Sequence, residues 1–507
     1  MASRSRRHVA ARGVAGDPGG PGRRRRHQER ATGAPRSTVG RRRAEPGRAV
    51  RALRLFSPPG PGRRRAADGR AARGRRPVRR PHWFPRDRRA SHGPSRGGVV
   101  SLRARFLTIL ALRWLATGLI IPVSLLLPLS RGLSVAEIGL VTAAQGVVVL
   151  VLEIPSGALS DSWGRRQVLI VSALVAVTAY VIAISAQDVL AFAASWAVMG
   201  VFRALDSGPL EAWFVDAERA RGAADEVPRG LAHAGAVMGV AIAAGSLASG
   251  GLVFVADESD VALAVPYVAA MVVTLAQIVA ALVLMDRVPS TDRPDQKGWA
   301  RTLAEGVGLV SGPALRWFAI AMMFSGIGVS ALEMCLPVRL DEFSADTAAA
   351  GVAMGPISAV AWAVGGAGSA EVARVLRHRP AASVATALVA MQAVALLGMA
   401  LAGTPPLLVG AFWAAYAVHL GFGASFNSLV HDRVDDAHRA TALSVTSMAF
   451  LGAGAAGGIG LGALSDAVSP SAALAAGALA LTVTTCLVAV AGRQRSGATL
   501  IAPPDRP

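Results

Sequence analysis

Several residue types are scarce in this chain of 507 residues. Cysteine occurs twice, as Cys335 and Cys486, both in apolar runs and far apart. Neither a disulfide framework nor a CxxC metal site can be built from them. Lysine occurs once, as Lys297, against 52 arginines. Together with abundant alanine and glycine, this bias reads as GC-rich coding and not as a binding code. Aromatics make up only 5%, with three tyrosines. Charged residues make up 17%, against about 25% in soluble globular domains. Hydrophobic residues reach 52% and the mean hydropathy is +0.44, which excludes an ordinary soluble enzyme. No HExxH, GxSxG or GxxxxGK[ST] pattern occurs. The chain therefore lacks a catalytic constellation and cannot by itself drive transport with ATP. No cofactor and no metal are expected.

The charge that is present sits in one place. Residues 1–105 hold 31 of the 53 basic and 5 of the 32 acidic residues, so the remainder is slightly acidic. Runs such as Arg23–Arg26, Arg41–Arg43 and Arg63–Arg65 lie among Gly, Pro and Ala without apolar periodicity. Such a segment cannot bury enough surface to offset chain entropy, and disorder is expected. Two readings stand for it. One is a basic arm on anionic lipid or nucleic acid. The other is an untranslated upstream extension of the reading frame, with the start at Val99 or Val100. Nucleic-acid modules interleave aromatics with their basic residues. Only Phe56, Trp83 and Phe84 occur here, so no nucleic-acid partner is expected.

From Phe106 onward, apolar stretches of the length that crosses a bilayer alternate with short polar breaks. Twelve are predicted: 106–129, 136–156, 166–186, 188–210, 228–254, 263–285, 315–338, 347–370, 380–402, 405–429, 440–464 and 470–491. The break 286–314 separates a first bundle of six (106–285) from a second (315–492), with a tail at 493–507. Within the break, Trp299, Leu303, Val307 and Val310 share a helical face, which suggests a short interfacial helix. Eighteen basic residues fall in the loops on the N-terminal side and two, Arg131 and Arg339, on the other. The positive-inside bias then puts both termini in the cytoplasm. A bacterial inner membrane is the expected location.

The loop after the second span reads Gly157-Ala158-Leu159-Ser160-Asp161-Ser162-Trp163-Gly164-Arg165-Arg166. Gly157 permits close helix approach. Asp161 suits the positive N-terminus of a neighbouring helix. Arg165 and Arg166 can pair with nearby carboxylates or serve only as topological anchors. This stretch resembles the signature loop of the major facilitator superfamily, and span count and central linker agree. The resemblance implies an all-α membrane fold of twelve transmembrane helices in two six-helix bundles, working by alternating access. It also implies a cytoplasmic gate of Gly157, Asp161, Gly164, Arg165 and Arg166, with Asp161 at the start of span eleven near Ala440. The corresponding loop of the second half is degenerate, keeping only Glu371, Arg374 and Arg377.

A charge at mid-bilayer costs at least about 2.5–3.5 kcal/mol on insertion scales, so each is a functional candidate. Span four carries Arg203, Asp206 and Glu211. On a continuous helix Arg203, Ser207 and Glu211 share a face, and Asp206 can neutralise Arg203. The run Arg203–Gly208 resembles the span-four motif of the family's drug/proton antiporters, although its glycine stands one residue late. Arg113 in span one and Glu153 in span two can pair with span four, and Glu153 equally with Arg165. Glu333 in span seven suits a proton or cation site, or snorkels to the surface. His419 and Asn427 in span ten are cavity candidates, His419 alternatively a helix–helix hydrogen bonder. Gly452-Ala453-Gly454-Ala455-Ala456-Gly457 matches GxGxxG, but it lies inside span eleven and reads as a small-residue packing face. The expected function is a monomeric secondary transporter in the lipid bilayer, moving a small molecule with protons. Efflux of a drug-like or amphipathic compound leads. Proton-coupled import of a small metabolite is the alternative, and a non-transporting membrane sensor or scaffold is the rival from another class.

Overall fold

The computed structural model describes residues 101–256, 259–286, 308, 312, 315–434 and 438–493. The side chains at 153–155, 157–162, 259–260 and 440 lie outside that description. So do the N-terminal tail and the expected interfacial helix through Trp299, Leu303, Val307 and Val310.

Among the described residues every regular element is a helix. The first crossing is α1 (Leu102–Ile120) followed by the short α2 (Leu126–Ser130). Next come α3 (Val135–Trp163), α4 (Arg165–Ser185), and a fourth crossing split into α5 (Val189–Asp206) and α6 (Pro209–Ala220). The first half ends with α7 (Val227–Ala256), the short α8 (Ser259–Ala262) and α9 (Val265–Leu284). The second half holds α10 (Arg316–Phe343), α11 (Thr347–Val375), α12 (Ala381–Ala400), α13 (Pro405–His431), α14 (Arg439–Ala467) and α15 (Pro470–Arg493). Eleven crossings are long and apolar enough to span a membrane by length and composition. The other is the first, whose α1 carries Arg103, Arg105 and Arg113. The chain is a multi-pass membrane protein of twelve crossings.

Helix is the form these segments must take, because hydrocarbon offers no partner to a bare backbone group. The starts are marked by side-chain caps. Ser134 and Glu137 form a reciprocal capping box on α3, with bonds of 3.2 and 2.8 Å. Asp188 caps α5 through Ala191 N at 2.9 Å, and Asp346 caps α11 through Ala349 N at 2.7 Å. The outward faces are apolar. On α9, Val268, Val272, Leu275, Val279 and Leu282 are exposed at helical spacing, as a lipid-facing stripe requires.

Two expected spans are not continuous. The first, 106–129, breaks at 121–125 around Pro122. Proline has no N–H, so the Gly118 carbonyl loses its helical donor. The buried Ser246 hydroxyl of α7 donates to that carbonyl instead, at 3.2 Å. The fourth breaks at Ser207-Gly208, where Gly208 has φ +99°, a conformation that favours glycine.

Each half packs internally, α1 on α7 and α9, and α10 on α14 and α15. The halves meet along two helix pairs, α3 with α14 and α7 with α11. Both contacts are backbone-close. A Cβ added at Gly355 would lie 2.8 Å from Gly250 Cα and 2.8 Å from the Ser246 carbonyl. One at Gly139 would lie 2.5 Å from the Gly458 carbonyl, and one at Gly462 2.6 Å from the Val135 carbonyl. All these contacts lie toward the end where α3 begins, here the Ser134 end. Toward the opposite, Gly164 end, added methyl groups at Gly235, Gly239 and Gly366 would meet nothing. The α7 residues Leu231, Ala232 and His233 are exposed there. Along the α7–α11 seam the halves are therefore closed on the Ser134 side and spread on the Gly164 side.

Gly355→Val should lower the melting temperature in detergent by several degrees, since overpacking costs about 1–3 kcal/mol. Gly366→Ala, with open space around it, should leave the melting temperature unchanged in the same assay.

Candidate functional site

The break in span four builds the first part of the site. Asp206 ends α5, and α6 restarts two residues later with Pro209 at its first position. Arg113 of α1 enters this bend. Its Nε lies 2.5 Å from Asp206 Oδ2 and its Nη1 3.4 Å from Glu211 Oε1. The Arg113 and Asp206 side chains are only 10% and 6% exposed. This is a three-residue charge cluster within the first half, with Arg113 and Asp206 buried and Glu211 at its more exposed edge. It holds the two segments of span four against α1, much as a buried pair compensates the desolvation of both ions. One oxygen each of Asp206 and Glu211 has no hydrogen-bond donor.

Two expectations change here. Arg203, Ser207 and Glu211 do not form one continuous face, because the helix is broken between them. Asp206 bonds Arg113 and not Arg203. Spacing of three along a helix permits a pair without requiring it. Asp206 is buried and Arg203 exposed, so Arg203 reaches Asp206 only through its field, and Arg113 of α1 makes the contact.

Arg203 instead faces the space between the halves. Among the described residues it makes no hydrogen bond or ion pair. It is within electrostatic reach of Glu333 on α10, in the other half. Glu333 is also exposed to that space, with the Tyr416 hydroxyl of α13 within hydrogen-bonding reach. Tyr416 stands in an aromatic group with Phe412 at 4.9 Å, His419 at 5.9 Å and Trp362 of α11 at 6.3 Å between ring centroids. The Trp413 indole N–H donates to the Ile357 carbonyl at 3.0 Å and ties α13 to α11. His419 Nδ1 lies 3.2 Å from the amide of the buried Gln392 on α12, so this histidine joins two helices. Asn427 is exposed on the wall of a cavity of about 180 Å³ with Met322, Ser325, Phe426 and Thr446.

The two ends differ. On the Ser134 side the Asp466 carboxylate of α14 accepts from Val135 N at 3.1 Å and Ala136 N at 2.9 Å. This carboxylate crosses between the halves and sits on the N-terminus of α3, where the helix dipole favours a negative charge. On the Gly164 side Arg165 bonds Asp216 of α6 at 2.8 Å, and Arg166 Nη2 donates to the Leu282 carbonyl of α9 at 2.6 Å. Both of these bonds stay within the first half. Gly164, at φ +96°, makes the turn from α3 to α4. The side chains of Glu153 and Asp161, and residue Gly157 with them, lie outside the described residues. In α14 the GxGxxG stretch packs as a small-residue face. Ala455 meets Gly146 of α3, Gly454 approaches Gly326, and Gly457 approaches Ile327 of α10.

Asp466, Tyr416 and Trp362 were not legible as site residues in the sequence. The available signal was weak: an acidic residue ending an apolar span opposite a Ser–x–x–Glu start, and one of only three tyrosines placed mid-span. Among the described residues no group of three His, Cys, Asp or Glu side chains converges on a metal position. The arrangement offers instead a central space with a cation on one wall, and a carboxylate beside aromatic rings on the other.

The sequence pattern of the Major Facilitator Superfamily matches residues 106–458. No curated protein sequence matches the chain. Among solved structures, the nucleoside transporter NupG is similar at a TM-score of 0.68 and 14% identity, over 78% of this chain and 100% of that one. A POT family transporter, solved with a thioalcohol-conjugated peptide, is similar at 0.57 and 11% identity, over 76% and 94%. The human organic anion transporter MFSD10 (TETRAN) is similar at 0.51 and 18% identity, over 77% and 100%. At these identities the likeness is one of fold.

Two outcomes follow from the geometry. Arg113→Leu should strip Asp206 of its buried partner and destabilise by about 3–5 kcal/mol, read as loss of monodisperse protein on size exclusion. The double variant Arg113→Leu/Asp206→Leu should recover most of that loss. Asp466→Asn should weaken the closure at the Ser134 end. Electron–electron distance measurements between spin labels at Gln187 and Gly403 should then show a longer, broader distribution than in the wild type.

Proposed function

Because this chain belongs to the major facilitator superfamily, and is a transporter and not an enzyme, we propose that it is a proton-coupled secondary transporter with Glu333 as the coupling carboxylate. The observation that carries this reading is the placement of Arg203 and Glu333. They are opposite charges on opposite halves, both open to the central space. Their separation changes whenever the halves rock. A charge–charge interaction biases such an equilibrium by the amount its energy differs between the two arrangements. A proton on Glu333 removes the attraction, and its release restores it.

The same carboxylate is the natural partner of a cationic group on a substrate. Tyr416, Phe412 and Trp362 beside it offer apolar surface and aromatic faces for a cation. Substrate and proton would then compete for one site, which is the logic of exchange. Efflux of an amphipathic compound against an inward proton gradient is the direction we favour. Proton-coupled uptake of a small metabolite is the second reading, and the exposed Arg203 guanidinium favours it by suiting an anionic group. The excess of basic residues in the loops at the Gly164 end puts that end in the cytoplasm. The spread side of the central space would then face the cytoplasm, and Asp466 would close the external side.

The test is reconstitution into proteoliposomes with an internal pH dye, against panels of amphipathic cations and small anionic metabolites. Glu333→Gln should abolish substrate-dependent proton movement and weaken the binding of amphipathic cations. Arg203→Gln should keep substrate binding but shift the pH dependence of flux. Wild-type proton flux that survives Glu333→Gln unchanged would remove Glu333 from coupling. Absence of flux in the wild type with every compound would favour the sensor or scaffold reading.

A further inference from the structure

A second cavity lies outside the central space. The helices α11 and α12 both lean on α13 and hardly touch each other. The seam between them is a groove of about 510 Å³ with α13 as its floor. Its walls are apolar: Val372 and Val375 from α11, Val384 and Leu388 from α12, and Ala417 and Val418 from α13. The volume is within the range of pockets that bury a drug-sized ligand. On α11 the groove runs from Val375 to Gly368, which is about 10 Å at the helical rise. That is roughly a third of a hydrocarbon core.

The groove does not join the transport path. The groups of α13 that meet the central space are Tyr416, on Glu333, and Asn427. The floor of the groove is made by Ala417 and Val418, on another side of the same helix. Outside the groove, α12 presents Met391, Val394 and Leu397 as exposed apolar side chains, the mark of a lipid-facing surface.

The mouth lies at the Gly164 end and is cationic. Arg379 lines it, and Arg374, Arg377 and His378 are exposed in the same turn. The one carboxylate at the lining, Glu371, is 2.5 Å from Arg374 and is offset by it. The seam thus presents an apolar channel at membrane depth beneath a basic rim at the level of the headgroups. Basic clusters at the membrane surface recognise anionic lipids.

We propose that this groove is a binding site for an anionic phospholipid, with one acyl chain along the α11–α12 seam and the phosphate held by Arg379. The site is separate from the substrate space, so the proposal stands or falls apart from the transport reading.

Native mass spectrometry of the full chain, released from detergent with added dioleoyl-phosphatidylglycerol or dioleoyl-phosphatidylcholine, tests it. The wild type should retain one phosphatidylglycerol per chain at least about fivefold more than phosphatidylcholine, by the charge argument above. Arg379→Gln should bring retention down to the phosphatidylcholine level. Ala387→Phe, which fills the groove from α12, should lower retention of both lipids, while Arg493→Gln, a basic residue at the end of α15, should leave it unchanged. Ser383→Phe replaces Ala387→Phe if the latter is not monodisperse. Glycerol phosphate at millimolar concentration should not displace the lipid. Equal retention of the two lipids by the wild type would overturn the proposal. So would full retention by Arg379→Gln together with either groove-filling variant, or displacement by glycerol phosphate.

Discussion

A carbonyl or a charge left bare in hydrocarbon costs more than any single helix contact contributes, and the architecture of this chain answers to that constraint. Pro122 frees the Gly118 carbonyl, and the Ser246 hydroxyl from α7 takes it. Pro356 removes the donor for the Val352 carbonyl, and that oxygen lies where Gly250 of α7 leaves room for it, at the seam between the halves. Asp206 is buried mid-membrane, and Arg113 is delivered to it from α1. Ser246 and Arg113 each also join two helices. The polar groups that break the hydrophobic pattern are thereby the ones that set which helices touch.

The same physical solutions recur in both halves. Phe106 stacks on Phe214 between the first and fourth crossings, and Phe318 meets Phe426 edge-on between the seventh and tenth. Arg131 donates to the carbonyls of Ala183, Ile184 and Ala186 at the end of α4. Arg339 donates to the Ala402 carbonyl just past the end of α12. These are the two arginines that depart from the charge bias of the loops. Both serve a helix C-terminus, where a cation opposes the dipole. The halves then diverge at the centre. The first carries the Arg113–Asp206–Glu211 cluster, and the second carries Glu333, Tyr416 and His419 with a single charge.

Closure at the Ser134 end is made by close packing and one ionic cap. Gly250 with Gly355, and Gly139 with Gly458, let backbones meet, and one carboxylate, Asp466, bridges to the start of α3. At the same end the side chains of Leu126, Val253 and Leu263 from the first half close around Gly351 of α11. At the Gly164 end Arg165 bonds Asp216 and Arg166 the Leu282 carbonyl, two contacts inside the first half.

By itself the sequence determined that the chain spans a membrane in twelve segments grouped in two sixes, because length and hydropathy of a segment are local properties that lipid reads directly. It also determined the family, through the loop from Gly157 to Arg166, and which spans carry charge. What it left to the tertiary structure was pairing. Arg203 and Asp206 are neighbours in the chain, yet they face different environments. Arg113 and Asp206 are far apart in the chain and in contact in the fold. The break at Ser207-Gly208 turned an expected single face into two, since a positive φ at one glycine is invisible to periodicity. Glu333 acquired its neighbours Arg203 and Tyr416 only in the fold, because a lone carboxylate in a span is the same string of letters whatever surrounds it. Spacing along a helix says which residues can meet, and only the packing of helices distant in sequence decides which of them do.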